Sequence, residues 1–490
     1  MNLVGPDVDD HGCACPEPVA CPKRRRREGL AGFEAYVRDK GQGFFRPSVP
    51  ITAARAPARI DVMGGIADYS GSVVLEGTLD RAAVVGFQPR PDRLLRVKSA
   101  LLEEEGRPCE VEVPLDELRR GNRPLGYQEV RALLTSQQEN AWAAYVLGGP
   151  VVLETEGIAR IEGGADFLLW SDVPVGVGVA SSAAVEVAAM FALLSALGIE
   201  VPGERFAALA QIVENRIVGA PCGIMDQVTS ALGEGGKLLA LRCQPCEVLG
   251  LRELPPQARV FGISSHVRHS IGGDAYATAR VSAFMGLKII VTELDKRGTR
   301  IGDKDHYLCN ISPRTYRDEF RRALPDSISA GEFLKRYGET TDTVTRVNPD
   351  KTYNVRLGAE HPIFENYRVE TFMECMERAR SGDRTALVEA GGLMYASHSS
   401  YSWNCGLGCE ETDLLVSLVR ERGPEYGLYG AKVTGGGSGG TVAILADSSA
   451  EGAVREIALE YASRTGIAPD IFDGTSPGAY AFGARQYHLE

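Results

Sequence analysis

Between Asp172 and Ala184 the chain reads Asp-Val-Pro-Val-Gly-Val-Gly-Val-Ala-Ser-Ser-Ala-Ala, and no other passage constrains the fold as strongly. Phe167-Leu168-Leu169-Trp170 before it has the apolar, aromatic character of a strand, and Ala183 to Leu197 after it reads as a helix. Strand, glycine loop and helix in that order require a mixed α and β fold. The loop also suits an anion, because Gly176 and Gly178 let backbone N–H groups approach it and the helix N-terminus adds partial positive charge. It is not a Walker A loop, since no Gly-Lys-Ser/Thr follows at the required spacing, and as a dinucleotide fingerprint it lacks the third glycine. Taken alone, a structural turn capped by Ser181 explains it equally well.

The same alternation runs along the chain from Ile51. Ala83 to Phe87 and Val260 to Ile263 read as strands, and Glu204 to Val218 as a helix. A length of 490 residues suits two or three domains. Pro255-Pro256 precedes a fresh strand and marks a boundary, giving an N-terminal half over 47–256 and a C-terminal half over 257–490. Residues 1–46, rich in Pro, Arg and Cys without sustained apolar periodicity, are expected to form a disordered leader. Thr340 to Arg356 carries no clear period and reads as an excursion or long loop. A second glycine cluster, Thr434 to Thr441, formally contains GxGxxG but has no βαβ unit or acidic ribose partner after it, which disfavours dinucleotide binding. Its glycines suit a close backbone approach to a ligand or to another chain segment.

Charge narrows the function classes. The formal net charge of -12 argues against nucleic acid as a partner of the whole surface, and small ligands are the better expectation. The one basic run, Lys23 to Arg27, reads as a solvated tail. No apolar stretch reaches the roughly 18 to 20 residues of a membrane span, so no membrane association and a cytoplasmic location are expected. Eleven cysteines, an odd and scattered set, read as reduced thiols; Cys13, Cys15 and Cys21, or Cys243 with Cys246, lack the spacing of a zinc site.

Three motifs in fixed order, Ala56-Pro57-Ala58-Arg59-Ile60-Asp61-Val62-Met63-Gly64, Pro174 through Ala183, and Thr434 through Gly440, resemble the superfamily of galactokinase, homoserine kinase, mevalonate kinase and phosphomevalonate kinase, the GHMP kinases. Within it the chain is similar to galactokinases over about residues 50–485, through Pro221-Cys222-Gly223-Ile224-Met225-Asp226-Gln227, Val267-Arg268-His269-Ser270 and Leu393-Met394 with Ser397-His398. Asp61 through Gly71 and Val218 through Gly223 look like the plant-type arabinokinase branch. The resemblance implies an α+β fold, with an N-terminal half like ribosomal protein S5 domain 2, a ferredoxin-like C-terminal half, and the active site between them.

It further implies a sugar-1-kinase that uses MgATP, with roles carried over position by position. Gly176, Gly178, Ala180, Ser181, Ser182 and Ala183 would bind the ATP phosphates. Ser182, with Ser181, and Glu214 would hold Mg²⁺. Asp226 would accept the proton of the anomeric hydroxyl, while Arg59 fixes its charge and stabilises the phosphoryl group in flight. Asp61, Gly65, Ile66, Asp68 and Tyr276 would form the sugar site, and Gly435, Gly436, Gly437, Ser438 and Gly439 a glycine motif beside it. The residue-level alternatives are a surface carboxylate for Glu214, a helix N-cap for Asp226 and an ordinary core aromatic for Tyr276.

Two positions depart from the galactokinase pattern. Ala58 replaces the usual Gly, and Gly65-Ile66 stands where galactokinases carry Glu-His, whose Glu hydrogen-bonds the C6 hydroxyl. L-Arabinopyranose has the ring configuration of D-galactopyranose with hydrogen in place of the exocyclic CH₂OH, so the expected product is L-arabinose 1-phosphate. Galactokinase, galacturonokinase and a non-catalytic sugar- and ATP-sensing relative are the alternatives, and a monomer or a dimer is equally compatible with the sequence.

Overall fold

The computed structural model describes residues 29–267, 274–296 and 307–489. Its centre is an eight-stranded sheet running Ala484–Tyr487, Ile51–Met63, Val73–Arg90, Gly164–Ser171, Leu94–Ser99 and Glu110–Pro114, with Lys237–Arg242 and Glu247–Glu253 branching from Val73–Arg90. That branching is possible because one half of the 18-residue strand pairs with Gly164–Ser171 and the other with Lys237–Arg242. Ile51–Met63 is buried along its whole length, as a strand covered on both faces must be. The helices Ser181–Leu197 and Met225–Leu232 pack against it. Ser181–Leu197 has ten buried residues and one charge, Glu186, so it belongs inside the protein and not on its surface.

A second, four-stranded antiparallel sheet is ordered Leu428–Val433, Thr441–Asp447, Ala258–Ser264 and Ile471–Phe472. It shares a core with the helices Glu410–Arg422 and Glu451–Thr465. A further core joins the helices Asp274–Lys296 and Val355–Arg380 to the connection between them. Ala258–Ser264 starts just after Pro255-Pro256, where a boundary is expected. The C-terminal half nevertheless differs from one contiguous unit ending at residue 490. Ala484–Tyr487 pairs antiparallel with Ile51–Ala54 of the first sheet, and Ser476 Oγ accepts from Arg55 Nη2 at 2.9 Å.

The leader expectation is corrected from Gly29 onward. Gly29–Lys40 is a helix whose Phe33, Tyr36 and Val37 are buried, and Phe44 and Phe45 complete the same cluster against Ile51, Val84, Leu168 and Trp170. Its apolar residues are too few for a visible period, yet a Cβ on Gly32 would lie 2.4 Å from the Trp170 ring, which shows how closely the helix is seated. Residues 1–28, with Lys23 to Arg27 and Cys13, Cys15 and Cys21, lie outside the described residues, as do Arg268, His269 and Ser270.

Candidate active site

Two glycine loops meet over the end of the Ile51–Met63 strand. Gly178 has φ +78°, and a Cβ there would lie 3.3 Å from the Thr434 carbonyl; one on Gly435 would lie 2.9 Å from the Gly178 carbonyl. Thr441 Oγ1 donates to the Val177 carbonyl at 2.7 Å and joins the loops. The second glycine cluster therefore serves close approach to another chain segment, which is the first glycine loop. Together they line a cavity with Arg59, Ile66, Asp68, Tyr276 and Asp226.

The helix Ser181–Leu197 begins at this cavity. Ala180 is its N-cap, in the left-handed conformation with φ 58°, and no side chain caps the helix end. The reading of Ser181 as a cap is thus corrected: its first N–H groups are left for an anion. Ala180 and Ser181 line the cavity, as do Gly176 and Gly178, whereas Ala183 is buried in the core and Ser182 is half-buried in the first turn. Ile66, Ala180 and Ser438 are three of the four non-glycine residues with positive φ among those described, and all three line the cavity. Such backbone is costly, above all for β-branched Ile66, and persists where the surroundings over-determine it.

Arg59 and Asp226 face each other on the cavity wall. Arg59 Nε donates to Asp226 Oδ1 at 2.8 Å, and Arg59 Nη1 donates to the Gly178 carbonyl at 2.7 Å, which ties the guanidinium to the glycine loop. Asp226 is in the first turn of Met225–Leu232, whose N-cap is Ile224, so it is not the cap. Burial alone would lower the pKa of Arg59, but the charges of Asp226 and Glu76 hold it above its ordinary value. Glu76 lies 3.4 Å from Arg59 Nε without hydrogen-bond alignment; burial, then the Asp61 charge, raise its pKa well above the carboxylate range. Asp226, 14% exposed, is therefore the working counterion of Arg59.

Glu214 is 1% exposed, which overturns the surface reading. It opens a π-helical turn, Val213–Val218, that follows Gly203–Ile212 directly. Gln227 Nε2 donates to Glu214 Oε2 at 2.7 Å and to Glu186 Oε2 at 3.1 Å, bridging the two carboxylates. Burial, then the charge of Asp226, raise Glu214 to about 7, with the Ser182 hydroxyl opposing the rise. Glu186 is raised well above its ordinary value by burial and by Glu214, and its Oε1 is buried without a hydrogen-bond partner. No group of three or more His, Cys, Asp or Glu among the described residues could hold a metal ion. Magnesium, however, is ordinarily held by one or two protein groups together with substrate phosphates, and the Ser182 and Glu214 oxygens, beside an orphaned carboxylate oxygen, fit that pattern.

Asp68, also on the cavity wall, is 3% exposed and accepts from the Tyr69 N–H at 2.8 Å. Burial, then the Asp226 charge, raise its pKa to about 6. A Cβ on Gly223 would lie 1.4 Å from Asp68 Oδ2, so this glycine is what admits the carboxylate. Asn215 holds the preceding residue, its Oδ1 accepting from the Cys222 N–H at 2.9 Å. Tyr276 lines the cavity and packs edge-on against Tyr69 at 6.1 Å, so it is at once part of a core and of the cavity wall.

Two expected sugar contacts lie elsewhere. Asp61 is fully buried behind the glycine motif, where Lys432 Nζ reaches its Oδ2 at 2.7 Å and Tyr401 Oη at 3.3 Å. It does not line the cavity, and its ion pair ties the first sheet to the strand Leu428–Val433. Gly65 is also off the cavity wall: a Cβ there would lie 2.1 Å from both Asp61 Oδ2 and Tyr401 Oη. Its carbonyl accepts from His361 Nε2 at 3.2 Å, while Nδ1 faces Ser400 Oγ at 2.8 Å. Burial pushes His361 down to about 4, so it is neutral, with the Nε2 proton assigned from the carbonyl it serves. Gly436 to Gly440 all line the cavity with Gly435 and Ser438.

Sequence reasoning missed Glu186, Glu76 and Lys432. Glu186 could have been found as the single charge in an otherwise apolar helix, and Lys432 as a lysine between Ala431 and Val433 in a buried strand.

Comparison with known proteins places this geometry. The family model for the GHMP kinases N terminal domain matches residues 144–234, and that for GHMP kinases C terminal matches residues 383–463. The chain is 40% identical to an L-arabinokinase of Arabidopsis thaliana across 90% of its own length, and spans 47%, about half, of that protein. It is 31% identical to a galactokinase of Chloroflexus aurantiacus, covering 89% of this chain and 92% of that one. Among solved structures, Lactococcus lactis galactokinase complexed with galactose superposes with a TM-score of 0.71 at 20% identity, over 93% of this chain and 100% of that one. Methanococcus jannaschii mevalonate kinase superposes at 0.51 and 15% identity, over 86% and 98%. These two establish the fold alone.

Proposed function

We propose, given that the chain belongs to the galactokinase family of the GHMP kinases, that it transfers the γ-phosphoryl group of ATP to the anomeric hydroxyl of L-arabinose. Its α+β architecture is that of the GHMP kinases. The observation that carries the reading is the Arg59–Asp226 pair at 2.8 Å, set between two glycine loops of which one opens an uncapped helix N-terminus. Phosphoryl transfer asks a protein mainly for positioning and charge stabilisation, and this arrangement supplies both on one wall.

The anionic phosphates dock on the N–H groups of Gly176 to Ser182. Asp226 accepts the proton of the anomeric hydroxyl as its oxygen bonds the γ phosphorus and the bond from that phosphorus to the bridging oxygen breaks, releasing ADP, and Arg59 faces the charge that accumulates on the moving group. Asp68 accepts from ring hydroxyls, and Tyr276 lines the same cavity. Ser182 and Glu214 would hold Mg²⁺, which when bound neutralises phosphate charge and draws the β and γ groups into line. Specificity for the pentose rests on Ile66: it presents an apolar side chain to the cavity, which fits a sugar lacking the exocyclic hydroxyl. The contribution of Gly65 is steric and indirect, through the packing of Asp61 and Tyr401.

D-galactose, with the larger exocyclic group, and D-galacturonate, which would want a cation near Ile66, are the competing substrates. The test is ADP formation that depends on added L-arabinose and that falls about 10²-fold or more in Asp226→Asn, with ATP binding kept. Sugar and ATP binding without turnover would instead mark a sensing protein. Among the described residues no helix is long and apolar enough to cross a membrane; a cytoplasmic site of action belongs to this proposal.

A further inference from the structure

Arg280 stands four residues after Tyr276 on the helix Asp274–Lys296, one turn further from the cavity. Its guanidinium is clamped in two places by Asp342, Nε to Oδ2 and Nη2 to Oδ1, both at 2.8 Å. Asp342 comes from the Thr340 to Arg356 excursion and is itself fixed, accepting from the Val344 N–H at 3.0 Å, the Thr345 N–H at 3.1 Å and the Thr345 hydroxyl. The clamped guanidinium lies 5.1 Å from the Tyr69 ring and 5.6 Å from the Phe284 ring, and Tyr69 meets Tyr276 edge-on. Its remaining nitrogen, Nη1, is buried without a hydrogen-bond partner. A buried bidentate pair carries a desolvation cost that a surface loop has no structural need to bear, so its position behind the sugar pocket calls for an explanation.

We propose that the Arg280–Asp342 pair is a positioning element of the sugar site, holding a positive charge near the Asp68 carboxylate and a flat cationic surface against the Tyr69 ring, which in turn meets Tyr276. The inference rests on the reading of Asp68 and Tyr276 as sugar contacts. The groups that bear on Asp68 are Asp61 from the first strand, Asp226 from Met225–Leu232, the Cys243 and Cys309 thiols, Tyr401, and Tyr276 with Arg280 from the helix Asp274–Lys296. The carboxylates disfavour its charge and Arg280 favours it, against burial that raises Asp68. Only an ionised Asp68 accepts hydrogen bonds from sugar hydroxyls at both oxygens. The excursion thereby acquires a role: it delivers the acid that locks the cation in place.

The experiment is steady-state kinetics of the full chain with L-arabinose and ATP from pH 5.5 to 8.5. For Arg280→Met the sugar KM at pH 7 should rise about tenfold, the ATP KM should stay within about twofold, and the acid limb of kcat/KM for sugar should move up by about one pH unit, as loss of a close opposite charge requires. Arg280→Lys should restore much of the limb. Because a lone buried Asp342 can prevent folding, the double variant Arg280→Met/Asp342→Asn, which removes both charges, is measured alongside. A folded variant without Arg280 whose limb and sugar KM match the wild type overturns the proposal, as does a loss that falls equally on ATP. Asp68→Asn separates the two layers of the argument. If it loses sugar affinity and the limb while Arg280→Met moves neither, the inference about Arg280 fails alone; if it binds sugar normally, the reading of Asp68 fails and takes the inference with it.

Discussion

Asp68 shows most clearly the conflict between folding and function at a single residue. Its carboxyl is raised from 3.8 to about 6 by burial first and by the Asp226 charge second, so the folded chain binds a proton more tightly than the unfolded one. The sign follows: between about pH 4 and pH 6 this residue makes the ligand-free protein less stable as pH rises, and above the raised value the penalty is complete. Asp68→Asn should therefore stabilise the ligand-free protein by about 1 to 3 kcal/mol at pH 7.5 and by little at pH 4. The same change should remove most sugar affinity, and thermal melts at the two pH values with and without L-arabinose read both effects. A variant no more stable at pH 7.5 than the wild type contradicts the buried-carboxylate account. Lys432 makes the opposite case, a buried charge whose partner is structural. Lys432→Met strands the Asp61 carboxylate and should cost about 3 to 5 kcal/mol, seen as a lowered denaturant midpoint; a cost under about 1 kcal/mol contradicts the tie between the sheets.

At the scale of elements, Gly29–Lys40 is the segment whose importance changed most between sequence and structure. Phe33 is fully buried, and a Cβ on Gly86 would lie 2.7 Å from its ring, so the helix plugs a gap in the first sheet. Phe33→Ala should destabilise the protein by about 3 to 5 kcal/mol with catalytic constants little changed. Equal melting temperatures for the wild type and Phe33→Ala would contradict the packing described. The segment was hidden in the sequence because its apolar residues follow a Pro- and Cys-rich stretch and are too sparse to set a period. The strands and helices around the glycine loop were legible because their periods are strong, and motif order marked Arg59 and Asp226, which the fold brings together on the cavity wall. Asp61 and Gly65 misled because a motif gives sequence neighbours and not what packs on them: Arg59 and Asp61, two apart on one strand, share a face. Only the fold showed that Arg59 faces the cavity while Asp61 turns to Lys432.

For the whole molecule, the two sheets are coupled at the site they share. The Asp61–Lys432 pair, the Thr441 to Val177 hydrogen bond and the contact of Gly178 with Gly435 all cross from one to the other, and the cavity takes its walls from both. The walls of the cavity are thus set by packing between elements distant in sequence, and under the proposed function loop mutations far from Asp226 should affect sugar and nucleotide together. The central claim is that this cavity phosphorylates a pentose at its anomeric oxygen. Its most direct test is sugar-dependent ADP release from MgATP, compared across L-arabinose, D-galactose and D-galacturonate, with the phosphorylated carbon of the product located by NMR. The account predicts the highest kcat/KM for L-arabinose and phosphate on C1, with turnover reduced about 10²-fold or more in Asp226→Asn. ADP release that no sugar stimulates, a preference for D-galactose, or phosphate at any other carbon would contradict it.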